Sequence, residues 1–109
     1  MARPPRDLAQ RRQQALLQLA TTGEMLRGSL LERFLPCGKK GCRCHRGELH
    51  GPAYYLSVTY APGKTRQVYV PKHLKTTVEQ WLQNYQRAQG ALEEISAINM
   101  ELVRLKAIQ

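Results

Sequence analysis

The sequence predicts a small α+β protein: an N-terminal helix, a three-stranded antiparallel sheet with a zinc-stapled loop, and a long C-terminal helix. Three observations point there. Residues 53–72, "AYYLSVTYAPGKTRQVYVPK", alternate apolar and polar side chains on both sides of Pro62-Gly63, as a β-hairpin requires. Both ends of the chain instead repeat apolar residues at helical spacing. Between them, "CGKKGCRC" at residues 37–44 holds all three cysteines.

The N-terminal helix is expected from about Pro5 to Ala20, where Leu8, Ala15, Leu16 and Leu19 sit among good helix formers and Gly23 ends the run. Arg11 and Arg12, with Arg3 and Arg6 before them, give it a basic face. "RGSLLERFLP", residues 27–36, is a short apolar-rich run between Gly28 and Pro36 and supplies the first strand. Joined to the hairpin it makes three strands, the smallest sheet that is usually stable. Tyr54 and Tyr60 share a face with Leu56 and Val58 and are expected in the core. From Leu74 to about Ala107 a helix carries the seam Val78, Trp81, Tyr85, Ala88, Leu92, Ile95 and Leu102, with Asn99 in the gap. That spacing suits a coiled coil, in which one buried Asn fixes a dimeric register. Ile98 and Leu105 widen the face and equally suit packing on the chain's own N-terminal helix. Trp81 and Tyr85 are expected against the sheet. The organisation is therefore 1–26 (basic helix or arm), 27–73 (zinc loop and sheet) and 74–109 (C-terminal helix).

With 109 residues, 42% of them apolar, the interior must be thin, so a local staple matters. Zinc takes four thiolate or imidazole ligands in a tetrahedron. Cys37, Cys42 and Cys44 supply three, and Gly38 and Gly41 let the chain turn between the first two. The fourth is His50 or His45. His45 adjoins Cys44 and must fold back beside it, whereas His50 closes the loop from the opposite side and is the better placed. Lys39, Lys40, Arg43 and Arg46 favour thiolate and offset the charge of a Cys3His centre. An odd cysteine count cannot pair fully within one chain, and clustered cysteines read as ligands in a reducing compartment. The start carries charge but no apolar signal core, so a cytoplasmic location is expected. No apolar run approaches the roughly 18–20 residues that span a bilayer, and no membrane partner is expected.

"RGSLLERFLPCGKKGCRCHRGELHGPAYYLSVTYAPGKTRQVYVPK" followed by a Trp–Tyr helix resembles a small, largely uncharacterised prokaryotic domain family. Its members share a CGKxxCxCxxGxxHGPYYYL-like core and are often encoded near transposases and other mobile elements. The likeness runs from Arg27 onward and matches Cys37, Gly38, Lys39, Cys42, Arg43, Cys44, Gly47, His50, Gly51, Pro52, Tyr54, Tyr55, Leu56, Tyr69, Val70 and Pro71. Ala53 stands where many relatives carry an aromatic residue. The resemblance implies the metal segment and a mobile-element setting.

Charge suggests the partner. Residues 1–75 hold 14 Lys or Arg against 4 acids, net +10, while residues 76–109 hold 3 against 4, net −1. A formal +9 on so short a chain is the footprint of nucleic-acid binding, with DNA the expected form. Arg11, Arg12, Lys39, Lys40, Arg43, Arg46, Tyr55, Lys64, Arg66 and Lys72 are the expected contacts, through strands in a groove or through stacking on single strands. The alternative is a protein-interaction adaptor that docks a transposase-like partner, or a second copy, through residues 74–109. Enzymatic activity is not expected: Glu24, Glu32 and Glu48 are the only carboxylates in residues 8–75 and share no predicted face, and no P-loop or nucleophile elbow is present.

Overall fold

The computed structural model describes residues 5–35 and 50–107. Their elements follow the predicted order: helix α1 (Pro5–Thr21), strands β1 (Ser29–Leu35), β2 (His50–Ala61) and β3 (Lys64–Val70), a short 3-10 turn (Lys72–Leu74) and helix α2 (Lys75–Arg104). By contacts the chain divides into two units, Leu26–Leu82 and Met1–Met25 with Gln83–Gln109.

The first unit is the sheet with the opening turns of α2. The strands pair antiparallel in the order β1-β2-β3. Pro62 presets φ at one turn position and Gly63, at φ 71°, occupies the left-handed region at the next, the combination a tight turn of this kind needs. The β2–β3 register slips between Thr59 and Ala61, leaving Tyr60 as the extra residue of a bulge. A second slip, between Arg33 and Leu35, falls opposite the Gly51-Pro52 part of β2, where proline has no N–H to give to a ladder. The inner face buries Tyr54, Leu56 and Val70, with Leu26, Leu30, Val58, Val78 and Leu82 packed around them. Full burial of a Leu or Val side chain contributes about 1.5–3 kcal/mol, which is an upper bound for these nearly buried positions. The helix therefore meets the sheet through Val78 and Leu82. Trp81 does not pack there as expected: it is 37% exposed, and its backbone carbonyl accepts the Leu26 N–H at 3.0 Å. One residue of rotation on a helix is about 100°, enough to carry Trp81 off the face that Val78 and Leu82 share. Tyr60, also expected inside, is 58% exposed because the bulge places it at the edge of the hairpin, beyond the reach of the helix.

The second unit pairs α1 with the remainder of α2. Pro5 opens α1 where its missing N–H costs nothing, and Asp7 lies in the favourable first turn. Beyond Thr21 the chain turns at Gly23, with φ 86°. Leu8 packs with Ile98 and Leu102, joined by Leu105 and Ala107. The pairing is antiparallel, since Arg11 meets Glu94 and Asn84 meets Glu24. Of the two readings of the C-terminal helix, packing on the chain's own α1 is therefore the one observed within this unit. The buried face of α2 is Asn84, Ala88, Ala91, Ile98 and Leu102, one position round from much of the expected seam. Leu92 is 53% exposed, and the exposed Asn99 accepts a hydrogen bond from Arg12 at 2.8 Å. Small residues at Ala15, Ala88 and Ala91 suit closely approaching helices; Ala15 and Ala88 were expected on the apolar faces, and Ala91 is buried in place of Leu92.

Helix α2 ends in a Schellman arrangement. Ala107 N–H donates to the Leu102 carbonyl at 2.9 Å, Lys106 N–H donates to that of Val103 at 3.0 Å, and Lys106 has φ 55°. Just before it Arg104 and Glu101 form an exposed ion pair, and the Arg104 hydrogen bond holds the Glu101 carboxyl below its ordinary range. Among the described residues no large side chain is fully buried, so the thin interior expected from chain length is present.

Candidate nucleic-acid interface

Alternation along the strands gives the sheet an outer face. Tyr55 lies between Leu31 on β1 and Tyr69 on β3, and the neighbouring rows place Ser29, Ser57 and Gln67 together, then Thr59 and Thr65. The Tyr55 and Tyr69 rings meet edge to face, with centroids 5.8 Å apart and planes at 69°. The Arg33 guanidinium lies 5.3 Å from the Tyr55 centroid. An ordered Arg–Tyr–Tyr row thus crosses all three strands. Tyr69 is its open end, 59% exposed. Small hydroxyl residues border the row, and those of Thr59 and Thr65 bond to each other at 3.0 Å. Arg27 ties the chain before β1 to the sheet by donating to the Thr59 carbonyl at 2.8 Å.

The remaining expected contact residues are spread more widely. Lys64 stands exposed beside the hairpin turn. Arg66 pairs with Val58 and so belongs to the inner side of the sheet, where its guanidinium lies 5.9 Å from the Tyr60 centroid. Lys72 is exposed in the 3-10 turn after β3. Arg11 and Arg12 lie in the helix-pair unit, engaged by the Glu94 carboxylate at 2.6 Å and by the Asn99 carbonyl oxygen. Lys39, Lys40, Arg43 and Arg46 lie outside the described residues. Arg33 was not among the expected contacts. Its place beside Tyr55 follows from the β1–β2 register, which no local sequence pattern gives.

Most of the expected metal ligands lie outside the described residues. Cys37, Cys42, Cys44 and His45 lie outside the described residues, and among those described no group of three or more His, Cys, Asp or Glu is placed to hold a metal. The base of the segment is described. Leu35 and His50 are ladder partners, so the chain positions flanking residues 36–49 are held across one strand spacing, about 5 Å. His50 and the residue two before Cys37 therefore stand side by side at one end of the sheet.

Charge follows the units. Leu26–Leu82 carries ten Lys or Arg against three acids, net +7 of the chain's +9. No described helix is long and apolar enough to cross a membrane.

A family model described as a domain of unknown function, DUF6788, matches residues 5–80, more than half of the chain, and the chain belongs to that family. This agrees with the small uncharacterised family that the sequence resembles. No curated protein and no solved structure matches the chain.

Proposed function

We propose that this DUF6788 member is a small DNA-binding protein whose sheet unit is the binding surface and is stapled by one structural zinc ion. The observation that carries the reading is the coincidence on one unit of net charge +7 and the Arg33–Tyr55–Tyr69 row. Cationic side chains release counterions from phosphates, and ordered aromatic rings offer bases a contact at little entropic cost. Arg33 suits both tasks, because a guanidinium can stack on a ring while its edge donates to phosphate.

The zinc proposal rests on the donor set. Three thiolates and one imidazole make a closed Cys3His site, and closure of the segment at Leu35 and His50 supports His50 as the fourth ligand. When bound, the ion would supply folding free energy rather than chemistry, so no catalytic role is assigned. Thiolates also suit a reducing compartment such as the cytoplasm. An accessory role beside a mobile element rests on the resemblance of the cysteine motif.

A second reading has one observation in its favour. Leu92 and Val103 lie exposed on α2, 53% and 58%, and a transposase-like protein or a second copy of this chain could cover them. Sedimentation of the full chain separates the readings: association through α2 gives dimers or complexes with no nucleic acid present. The DNA reading is tested by fluorescence anisotropy of labelled oligonucleotides with the zinc-supplied protein. Micromolar binding that weakens steeply with salt is expected, and no binding at low salt would overturn it.

A further inference from the structure

We infer that the outer face of the sheet takes single-stranded rather than duplex DNA, with the Tyr69 ring as the surface on which a base stacks. The inference rests on the DNA reading above and specifies its substrate.

In a duplex the flat faces of the bases are covered by their neighbours, and a protein reads base edges with paired donors and acceptors. Long side chains able to do so are scarce here. Gln67 is one; Arg33 is the other, and its guanidinium already lies over Tyr55. Ser57, Thr59 and Thr65 are short, and the two threonine hydroxyls bond to each other. What projects from the face is aromatic. Tyr55 is flanked by Arg33 on one side and Tyr69 on the other, while Tyr69 is 59% exposed at the end of the row. Every base has a π-face, so such a ring binds an unstacked base whatever its sequence.

Charge complementarity selects the occupant. An aromatic row on a neutral unit would suit an apolar partner, but this row lies on the unit that carries +7. A polyanion whose bases are free to stack meets both features. Lys64, exposed at the start of β3 beside the hairpin turn and next to Thr65, adds a cation at that end of the sheet.

The test uses the full zinc-supplied chain with labelled oligothymidylate of about ten nucleotides, within the usual site size of a small sheet platform. A mixed-sequence duplex and an oligouridylate of equal length complete the set. Oligothymidylate is expected to bind more tightly than the duplex. Tyr69→Ala should weaken that binding roughly 5- to 150-fold, the loss of one stacked base, and leave duplex binding within twofold. Tyr69→Phe, which keeps the ring, should bind as the parent does; this guards against a fold defect in the alanine variant. Tyr60→Ala, on the other side of the sheet, should also bind normally. Tighter duplex binding with no effect of Tyr69→Ala would overturn the inference while the DNA reading stands. Preference for oligouridylate by more than tenfold would overturn the assignment to DNA. Absence of binding to every probe at low salt would remove the DNA reading itself, and this inference with it.

Discussion

The Asn84 side-chain amide donates to the Glu24 backbone carbonyl at 2.7 Å. Asn84 is 7% exposed, the one buried polar residue among those described, and it lies on the face of α2 that packs with α1. Glu24 follows the end of α1, so the bond secures the chain as it leaves that helix. Asn84→Leu removes the donor of a part-buried hydrogen bond, at a cost of about 0.5–1.5 kcal/mol. Urea unfolding of the variant measures it. A stability equal to the parent's would mean that water replaces the amide.

Gly28 admits no side chain. Its φ is 140°, and an added Cβ would lie 2.7 Å from the Ser57 carbonyl oxygen and 3.0 Å from Val58 Cγ2. Ser57 belongs to β2, so the clash falls at the start of the β1–β2 ladder. Gly28→Ala should destabilise the protein by about 2 kcal/mol or more, combining backbone strain with overpacking. Thermal unfolding followed by circular dichroism checks this, and an unchanged midpoint would contradict the close approach.

Lys106 predicts the opposite sign. It holds the left-handed position of the Schellman cap, which glycine occupies without strain. Lys106→Gly should raise stability by up to about 1 kcal/mol, read as a higher urea midpoint. A lower midpoint would mean that the lysine side chain contributes more than its backbone conformation costs.

The hairpin was legible because Tyr54, Leu56 and Val58 alternate and Pro62-Gly63 marks the turn, two signals that agree. Helix α2 was legible in extent but not in facing. Apolarity favours Trp81 and Leu92 over Asn84 and Ala91, whereas a closely packed helix pair buries small residues and a polar one with a partner. That partner is a backbone carbonyl 60 residues away, which no local pattern announces. The exposure of Tyr60 has a related cause: a bulge changes the count of residues without a composition signature. The outer face was half legible. Tyr55 was named, but Arg33 and Tyr69 join it only once the register of three strands is known. The cysteine ligands rest on spacing and chemistry alone.

The metal segment gives a prediction of its own. The purified chain should carry about one zinc held by three sulfurs and one nitrogen, and Cys42→Ser or Cys44→Ser should lose it. His50→Ala should weaken zinc binding sharply while His45→Ala leaves it nearly unchanged. Metal analysis with a chelator competition decides. The reverse order of the two histidines would move the fourth ligand to His45, and a stably folded zinc-free protein would remove the site.

The central claim, that the sheet unit binds DNA by neutralising phosphates, is tested most directly by the slope of log affinity against log salt. Each phosphate contact contributes about 0.7 to that slope on a single strand and about 0.9 on a duplex. Replacing Arg33 and Lys64 together by alanine should therefore flatten it by about 1.4 on oligothymidylate. Arg11→Ala, which breaks the contact with Glu94 in the helix-pair unit, should leave the slope as it was. An unchanged slope in the double variant, or a flattened one in Arg11→Ala, would contradict the assignment of binding to the sheet.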